Sequence, residues 1–248
     1  MKNVLIFGGT TEGRELAEIF SARGEKVTVS VATAYGASML RRSDFIKIHV
    51  GRLGISEMRE FIKANGFNLI IDATHPYAVE VTKNIKLAME NLNLPYMRLL
   101  REKSQKEDFT YVKSPAEVVS LKLEENILLT TGSKEIKSFV HIPNFQNAVY
   151  ARVLPTEQAI DACVMAGLSN DHILALKPPF SCEDNEKIID DFKIKTIITK
   201  DGGENGGFPE KIKAAKNKGI SLVVIERPTS DSGYSFEEIT KLLFKEDI

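Results

Sequence analysis

Val4-Leu5-Ile6-Phe7-Gly8-Gly9-Thr10-Thr11-Glu12-Gly13 runs four apolar residues straight into a glycine-rich turn, and an amphipathic segment near 12 to 23 follows it. An apolar run without polar alternation reads as a strand buried on both faces, as in a parallel sheet covered by helices. Outward from this stretch the same strand–turn–helix unit recurs. The first part predicts strands at 4 to 7, 27 to 31, 46 to 50, 69 to 71 and 96 to 100, with helices near 12 to 23, 56 to 65 and 76 to 92. The remainder predicts strands at 127 to 130, 148 to 153, 172 to 176, 196 to 199 and 221 to 225. Its helices are expected near 115 to 123, 134 to 140, 156 to 166, 183 to 191, 207 to 218 and 235 to 245. The predicted fold is α/β, with two doubly wound parallel-sheet domains at 1–100 and 101–248. The segment 101–108 (Arg-Glu-Lys-Ser-Gln-Lys-Glu-Asp), with six charges and no apolar side chain, reads as the linker or an exposed loop beside it.

Composition narrows the function classes. The first 100 residues carry 13 basic and 10 acidic side chains, the rest 20 and 24, so neither part has the cationic excess that duplex nucleic acid demands. Two cysteines, Cys163 and Cys182, make no disulfide framework, and no CxxC or HxxxH spacing offers a metal site. The apolar start is too short for a signal segment or a membrane span, so a cytoplasmic, reducing compartment is expected.

In open parallel sheets ligands bind beyond the carboxyl ends of the strands, which makes those residues the candidates. Glycines at Gly8, Gly9 and Gly13 let the backbone approach a diphosphate, and the N–H groups and dipole of the helix start favour its charge. The spacing from Gly8 to Gly13 matches a phosphate-binding P-loop, but Arg14-Glu15 replaces the Lys-Ser/Thr needed for phosphoryl transfer. As a dinucleotide fingerprint it has Thr10 where the second glycine stands, and by itself it reads equally as a plain tight turn. The second strand is read through Val27 to Tyr35 without a carboxylate, which favours a 2′-phosphate and hence NADP(H), with Ser30, Thr33 and Arg52 or Arg41 as its partners. The same residues also read as a solvated strand end. The third strand ends in Gly51-Arg52-Leu53-Gly54. The fourth ends in Asp72-Ala73-Thr74-His75-Pro76-Tyr77-Ala78, where Pro76 is expected to start the helix and His75 to face the ligand edge or serve structure.

Strand ends in the second part are rich in glycine, hydroxyl and cationic residues. Lys134, Arg152, Lys177 and Lys200 each fall at or just past a different strand end, which suggests a ligand with several carboxylates or phosphates. Taken singly, each also reads as a solvated loop charge. The stretch Gly202 to Gly207 offers N–H groups for an anion nest or a closing loop.

Phe7 to Gly13, Gly51 to Gly54, Asp72 to Ala78, Thr130-Thr131-Gly132-Ser133, Ala151 to Pro155 and the late glycine-rich segment occur in the order seen in precorrin-6A reductases, including the cobalt-precorrin-6A reductases. The sequence resembles that family over nearly its whole length. The resemblance implies two Rossmann-like domains with a cleft between them and NADPH-dependent reduction of the C18–C19 double bond of a tetrapyrrole. It implies NADPH contacts from Gly8, Gly9, Thr10, Thr11, Glu12, Gly13, Ser30, Thr33, Gly51, Arg52, Ala73, Thr74, His75 and Pro76. For the tetrapyrrole it implies Thr131, Gly132, Ser133, Lys134, Arg152, Lys177, Phe180, Lys200, Gly202 and Gly203. Two places depart from the family pattern: Lys177-Pro178-Pro179-Phe180 replaces a Gly-Pro-Phe form, and Asp201 stands where Ser or a neutral residue is common.

Hydride transfer needs orientation and exclusion of water, with neither metal nor activated nucleophile. Proton delivery, if the protein supplies it, falls to His75, Tyr77 or Lys134. A short-chain-type reductase is the alternative enzyme, but no Tyr is followed four residues later by Lys. A non-catalytic NADPH-binding redox sensor is the alternative from another class, and it leaves the cations of the second part without a purpose.

Overall fold

The computed structural model describes residues 1–100, 106–124, 126–203, 206–228 and 232–244. Of the expected linker, residues 101–105 lie outside the described residues. The chain forms two compact units, Met1–Glu102 together with Pro228–Ile248, and Lys103–Arg227.

The first unit begins β1 (Asn3–Phe7), α1 (Thr11–Ala22), β2 (Lys26–Val31), α2 (Ala34–Ser38), β3 (Ile46–Val50), α3 (Ile55–Ala64), β4 (Leu69–Asp72), α4 (Val79–Met89) and β5 (Tyr96–Arg98). Its sheet has the order β3-β2-β1-β4-β5, every pair parallel. Val4, Leu5 and Ile6 are fully buried because helices cover both faces of the central strand. Val4, Ile6, Leu16 and Phe20 share one apolar cluster, while Leu5, Phe7, Met58, Ile62 and Ile85 share the other.

The second unit contains β6 (Thr110–Val112), α5 (Pro115–Val119), β7 (Ile127–Leu129), a 3-10 helix Ser133–Phe139, α6 (Phe145–Ala148) and β8 (Val149–Val153). It continues with α7 (Glu157–Met165), β9 (Ile173–Ala175), α8 (Cys182–Asp191), β10 (Thr196–Lys200), α9 (Phe208–Lys218) and β11 (Ser221–Ile225). The sheet order is β6-β11-β10-β7-β8-β9, again parallel throughout.

The chain then returns to the first unit as α10 (Phe236–Phe244), although the sequence reading placed 101–248 together. Ile239 of α10 is fully buried in the cluster of Leu16 and Phe20, and Phe244 meets Phe20 edge-on at 5.0 Å. Tyr234 hydrogen-bonds main chain to main chain with Arg98 and Leu100, extending the β5 edge. A side chain at Gly233 would come within 2.5 Å of the Arg98 carbonyl, so glycine is required there.

Local differences have local causes. The second strand stops at Val31 instead of continuing to Tyr35, because Thr33 caps α2 by accepting the Gly36 N–H. Pro76 starts no helix: it sits in a turn closed by Ala78 N–H to the His75 carbonyl at 2.8 Å, and α4 opens at Val79. The segment expected as a helix at 134 to 140 is a 3-10 helix. Strand β6 escapes the sequence pattern because it has three residues and pairs only with β11 at the sheet edge.

Candidate functional site

In the first unit the chain runs outward in opposite directions from β1 and β4, so their adjacent ends form the topological switch point where α/β sheets bind ligands. Phe7 pairs in register with Asp72 and with Ser30, which sets the three following loops on one edge. Thr10 is the N-cap of α1: its hydroxyl accepts the Gly13 N–H at 3.2 Å and donates to the Ala73 carbonyl at 3.0 Å. This explains why the second fingerprint position need not be glycine, since the Thr10 side chain is turned into the protein and buried. Gly13 serves close helix–strand packing, because a Cβ there would lie 2.8 Å from the Ala73 Cβ. Gly8 is constrained differently: its Cβ would lie 2.9 Å from a Val29 methyl, so the strand beneath it excludes a side chain.

The loop after β4 is held by a network of which the sequence reading named only the motif. Asp72 is fully buried and accepts Arg98 Nη1 at 2.9 Å, the Thr74 hydroxyl at 2.7 Å, the Thr74 N–H at 3.0 Å and the Tyr96 hydroxyl at 3.3 Å. Arg98, also buried, donates to the Thr74 carbonyl at 3.0 Å. An ion pair with neither member solvated is retained only when hydrogen bonds surround it, and here they fix the path of Thr74 and His75. The signal in sequence is an Asp closing an apolar strand and an Arg within the next one. His75 is partly buried, and its Nδ1 accepts the Tyr77 N–H at 3.4 Å.

The remaining first-unit candidates are placed as follows. Ser30 is buried and bonded to His49 Nδ1 at 3.2 Å, Thr33 is exposed, and Arg52 is exposed beyond β3. Arg41 lies 3.5 Å from Glu18. Glu12 is buried in the first turn of α1, and Gly51 donates its N–H to the Val31 carbonyl. No carboxylate ends β2.

In the second unit β7 and β10 are the neighbours from which the chain diverges, so the loops Thr130–Lys134 and Lys200–Gly203 flank that switch point. The order β10-β7-β8-β9 sets the ends carrying Lys200, Lys134, Arg152 and Lys177 side by side, but the four cations are unequal. Lys134 and Lys177 are exposed, and Lys200 is paired with Glu135 at 2.6 Å. Arg152 is 7% exposed, lies over the Phe180 ring at 4.0 Å and donates to the Asn185 amide oxygen at 2.9 Å. Desolvation pulls its pKa down to about 10, against a raising influence from Asp184. Gly132 adopts φ of 87°, a left-handed geometry that suits glycine, immediately before the 3-10 helix that carries Ser133.

Asp201 accepts the Gly203 N–H at 3.1 Å and pairs with Arg227 at 3.2 Å, so it fixes the chain at Gly202 and Gly203. Gly202 and Gly203 are buried, and residues 204–205 lie outside the described residues. Lys211 was missed by the sequence reading. It occupies the apolar face of α9 beside Phe208, Ile212 and Ala215, and that helical spacing is the signal that marks it.

Fold and site define a protein of two doubly wound parallel α/β units, one edged by a glycine turn at a helix start and the other by cationic strand ends. The chain belongs to the family described as "Precorrin-6x reductase CbiJ/CobK", which matches residues 3–243, and it is an oxidoreductase. It is 32% identical to the "Cobalt-precorrin-6A reductase" of Priestia megaterium over 97% of both chains. It is also 32% identical to the "Cobalt-precorrin-6A reductase" of Methanocaldococcus jannaschii, covering 97% of this chain and 96% of that one. Identity to the "Precorrin-6A reductase" of Mycobacterium tuberculosis is 27%, over 94% and 92% of the two chains. The solved structure "CobK precorrin-6A reductase" superposes with a TM-score of 0.81 at 20% identity, covering 100% of this chain and 98% of that one, and supports the fold. Among the described residues no helix is long and apolar enough to cross a membrane.

Proposed function

We propose that this chain catalyses the NADPH-dependent reduction of the C18–C19 double bond of cobalt-precorrin-6A or precorrin-6A in the cytoplasm. The first unit would bind the cofactor and the second the macrocycle. The observation that carries this reading is the β1–β4 switch point in a chain that matches the reductase family along nearly its whole length. The turn suits a diphosphate, because Thr10 keeps its side chain inward and the first N–H groups of α1 have no earlier helical carbonyl to bond. Gly9 and Thr11 would supply main-chain donors for that grip, and Gly8 and Gly13, whose N–H groups are bonded to the Ser30 carbonyl and the Thr10 hydroxyl, would let the backbone come close, while the charge of Glu12 leaves it better suited to the wall of the turn. Ser30, Thr33, Gly51 and Arg52, without a carboxylate among them, favour a phosphorylated ribose.

When bound, NADPH supplies a hydride to an electron-poor carbon. Ala73, Thr74, His75 and Pro76 would border the reactive end, with the Asp72–Arg98 pair keeping their backbone in place. His75 is the favoured proton donor over Tyr77 and Lys134: a proton on Nε2 leaves Nδ1 to accept the Tyr77 N–H. Thr131, Gly132, Ser133, Lys134, Arg152, Lys177, Phe180, Lys200, Gly202 and Gly203 would face the tetrapyrrole, whose acetate and propionate arms call for cations. The cobalt-named relatives run from 26% to 32% identity, with three at 32%, whereas those named for precorrin-6A stand at 26% and 27%, which favours the cobalt-containing substrate.

Titration with NADPH and NADH, followed by absorbance of NADPH mixed with each precorrin, tests the reading. NADPH is expected to bind at least about ten-fold more tightly and to be consumed only when a precorrin is present, about 1.4 kcal/mol of discrimination. Equal affinity for the two cofactors, or consumption without a tetrapyrrole, would overturn it.

A further inference from the structure

Lys211 and Arg152 are buried cations on different elements of the second unit, 8% and 7% exposed. Among the described residues neither makes an ion pair. Arg152 spends one amino group on a neutral amide, that of Asn185, which is locked in turn by donating to the Ser181 carbonyl at 2.6 Å. Lys211 donates to the carbonyls of Gly206 at 3.2 Å and Gly207 at 2.9 Å, which leaves a third N–H. The carboxylates that act on the pair are Asp184, toward Arg152, and Glu210, toward Lys211. Glu210 Oε2 is itself buried without a hydrogen-bond partner, so this corner of the unit does not satisfy its own charges. Both cations border α8: Arg152 through Asn185, and Lys211 from α9, whose Phe208 and Ile212 share one apolar cluster with Cys182 and Ile188 of α8. Buried charges normally carry a partner, and two buried cations without an ion pair beside one helix mark a place where a counter-ion belongs.

We infer that Arg152 and Lys211 form one anion seat that takes a carboxylate arm of the tetrapyrrole, with Phe180 as the floor under the guanidinium and Lys211 tying that contact to the Gly206–Gly207 segment. Lys211 thereby becomes a substrate-binding residue. The inference rests on the proposed tetrapyrrole substrate for the identity of the anion. In the free protein burial and the nearby Arg152 hold Lys211 down to about 7, with Glu210 opposing them. An arriving carboxylate supplies the missing counter-charge, so binding above neutral pH draws a proton onto Lys211.

The test uses uroporphyrin III, whose carboxylate arms are free, and its methyl ester, titrated into the full chain by porphyrin fluorescence. Calorimetry in two buffers of different ionisation enthalpy gives the proton count. The free acid should bind and the ester should not. Lys211→Met and Arg152→Met should each weaken binding about ten-fold or more, the scale of one lost charged hydrogen bond. Glu210→Gln should strengthen binding, and Lys137→Met, on an exposed residue of the 3-10 helix, should leave it within two-fold. Proton uptake at pH 8 should be present in the wild type and absent in Lys211→Met. Should Lys211→Met not fold, Glu210→Gln and the ester decide the matter. Ester binding equal to the acid, or weaker binding in Glu210→Gln, overturns the seat. A seat that passes while NADPH reduces neither precorrin would instead sink the reductase reading alone.

Discussion

The ligand edges of the two units occupy the same topological place and are built from opposite materials. In the first unit the edge is main chain and small side chains: Thr10 clamps the Ala73 carbonyl, Gly13 lies against Ala73, and a buried ion pair there, Asp72 with Arg98, is hydrogen-bonded on both sides to Thr74. In the second unit the edge carries cations: Lys200 is neutralised by Glu135, whereas Arg152 and Lys211 are buried without ion pairs among the described residues. A diphosphate gripped by backbone N–H groups constrains shape. A polycarboxylate constrains charge, and burying that charge before the ligand arrives costs stability. The first unit is therefore expected to fail through lost geometry and the second through altered electrostatics.

The sharpest way to break the contrast is to open the Asp72–Arg98 ion pair. Arg98→Met leaves Asp72 buried without its cation, at a cost of about 3 to 5 kcal/mol in unfolding free energy. Because the same arginine holds the Thr74 carbonyl, NADPH affinity should fall with it, while uroporphyrin binding by the second unit should persist wherever the protein remains folded. Urea unfolding and parallel ligand titrations read both effects. A loss below about 1 kcal/mol would show that the pair contributes no more than exposed pairs do.

A smaller effect distinguishes the cations of the second unit by pH. The folded pKa of Lys211 is about 7, below its ordinary 10.5, so between those values the unfolded chain holds more protons than the folded one. Stability contributed through this group therefore rises with pH in that window, at up to about 1.4 kcal/mol per pH unit for one proton. Arg152, near 10, adds a comparable dependence only at higher pH. Lys211→Met removes the dependence, so its stability relative to wild type should be greatest at pH 6 to 7 and should decline toward pH 9. Urea midpoints at pH 6, 7.5 and 9 check the slope; parallel curves would mean that Lys211 is not desolvated in the folded protein.

The contrast also explains what could be read from sequence. Both parallel sheets were legible because central strands such as Val4–Phe7 and Ile127–Leu129 are apolar runs, and runs of that kind need cover on both faces. The turn at Gly8 to Gly13 was legible because close approach admits few residue types. Lys211 was not, since a lysine is ordinarily solvated and only its neighbours at helical spacing reveal a buried face. Arg98 was hidden for the same reason, in a strand of three residues. The return of α10 to the first unit could not be read either. The apolar face of Phe236, Ile239 and Leu243 states that it must be buried, while the surface receiving it, Leu16 and Phe20, lies more than two hundred residues earlier.

Thr10 sharpens the comparison most finely, because two readings of the same position predict opposite signs. If the dinucleotide fingerprint needs a second glycine so that the backbone can approach the diphosphate, Thr10→Gly completes it and should tighten NADPH binding. If Thr10 is instead the cap of α1 and the clamp on Ala73, Thr10→Gly releases the loop after β4 and weakens binding. The hydroxyl bonded at 3.2 Å to the Gly13 N–H and at 3.0 Å to the Ala73 carbonyl supports the second outcome. Thr10→Ala should cost about 1 to 2 kcal/mol in unfolding free energy for the lost cap and clamp, and Thr10→Ser should stay close to wild type because it keeps both bonds. Thr10→Gly should sit between them in stability, since glycine is a tolerable cap, yet fall below Thr10→Ser in NADPH affinity. Tighter binding by Thr10→Gly than by the wild type would return the turn to the glycine rule and remove the side chain from its role as an organiser of the site.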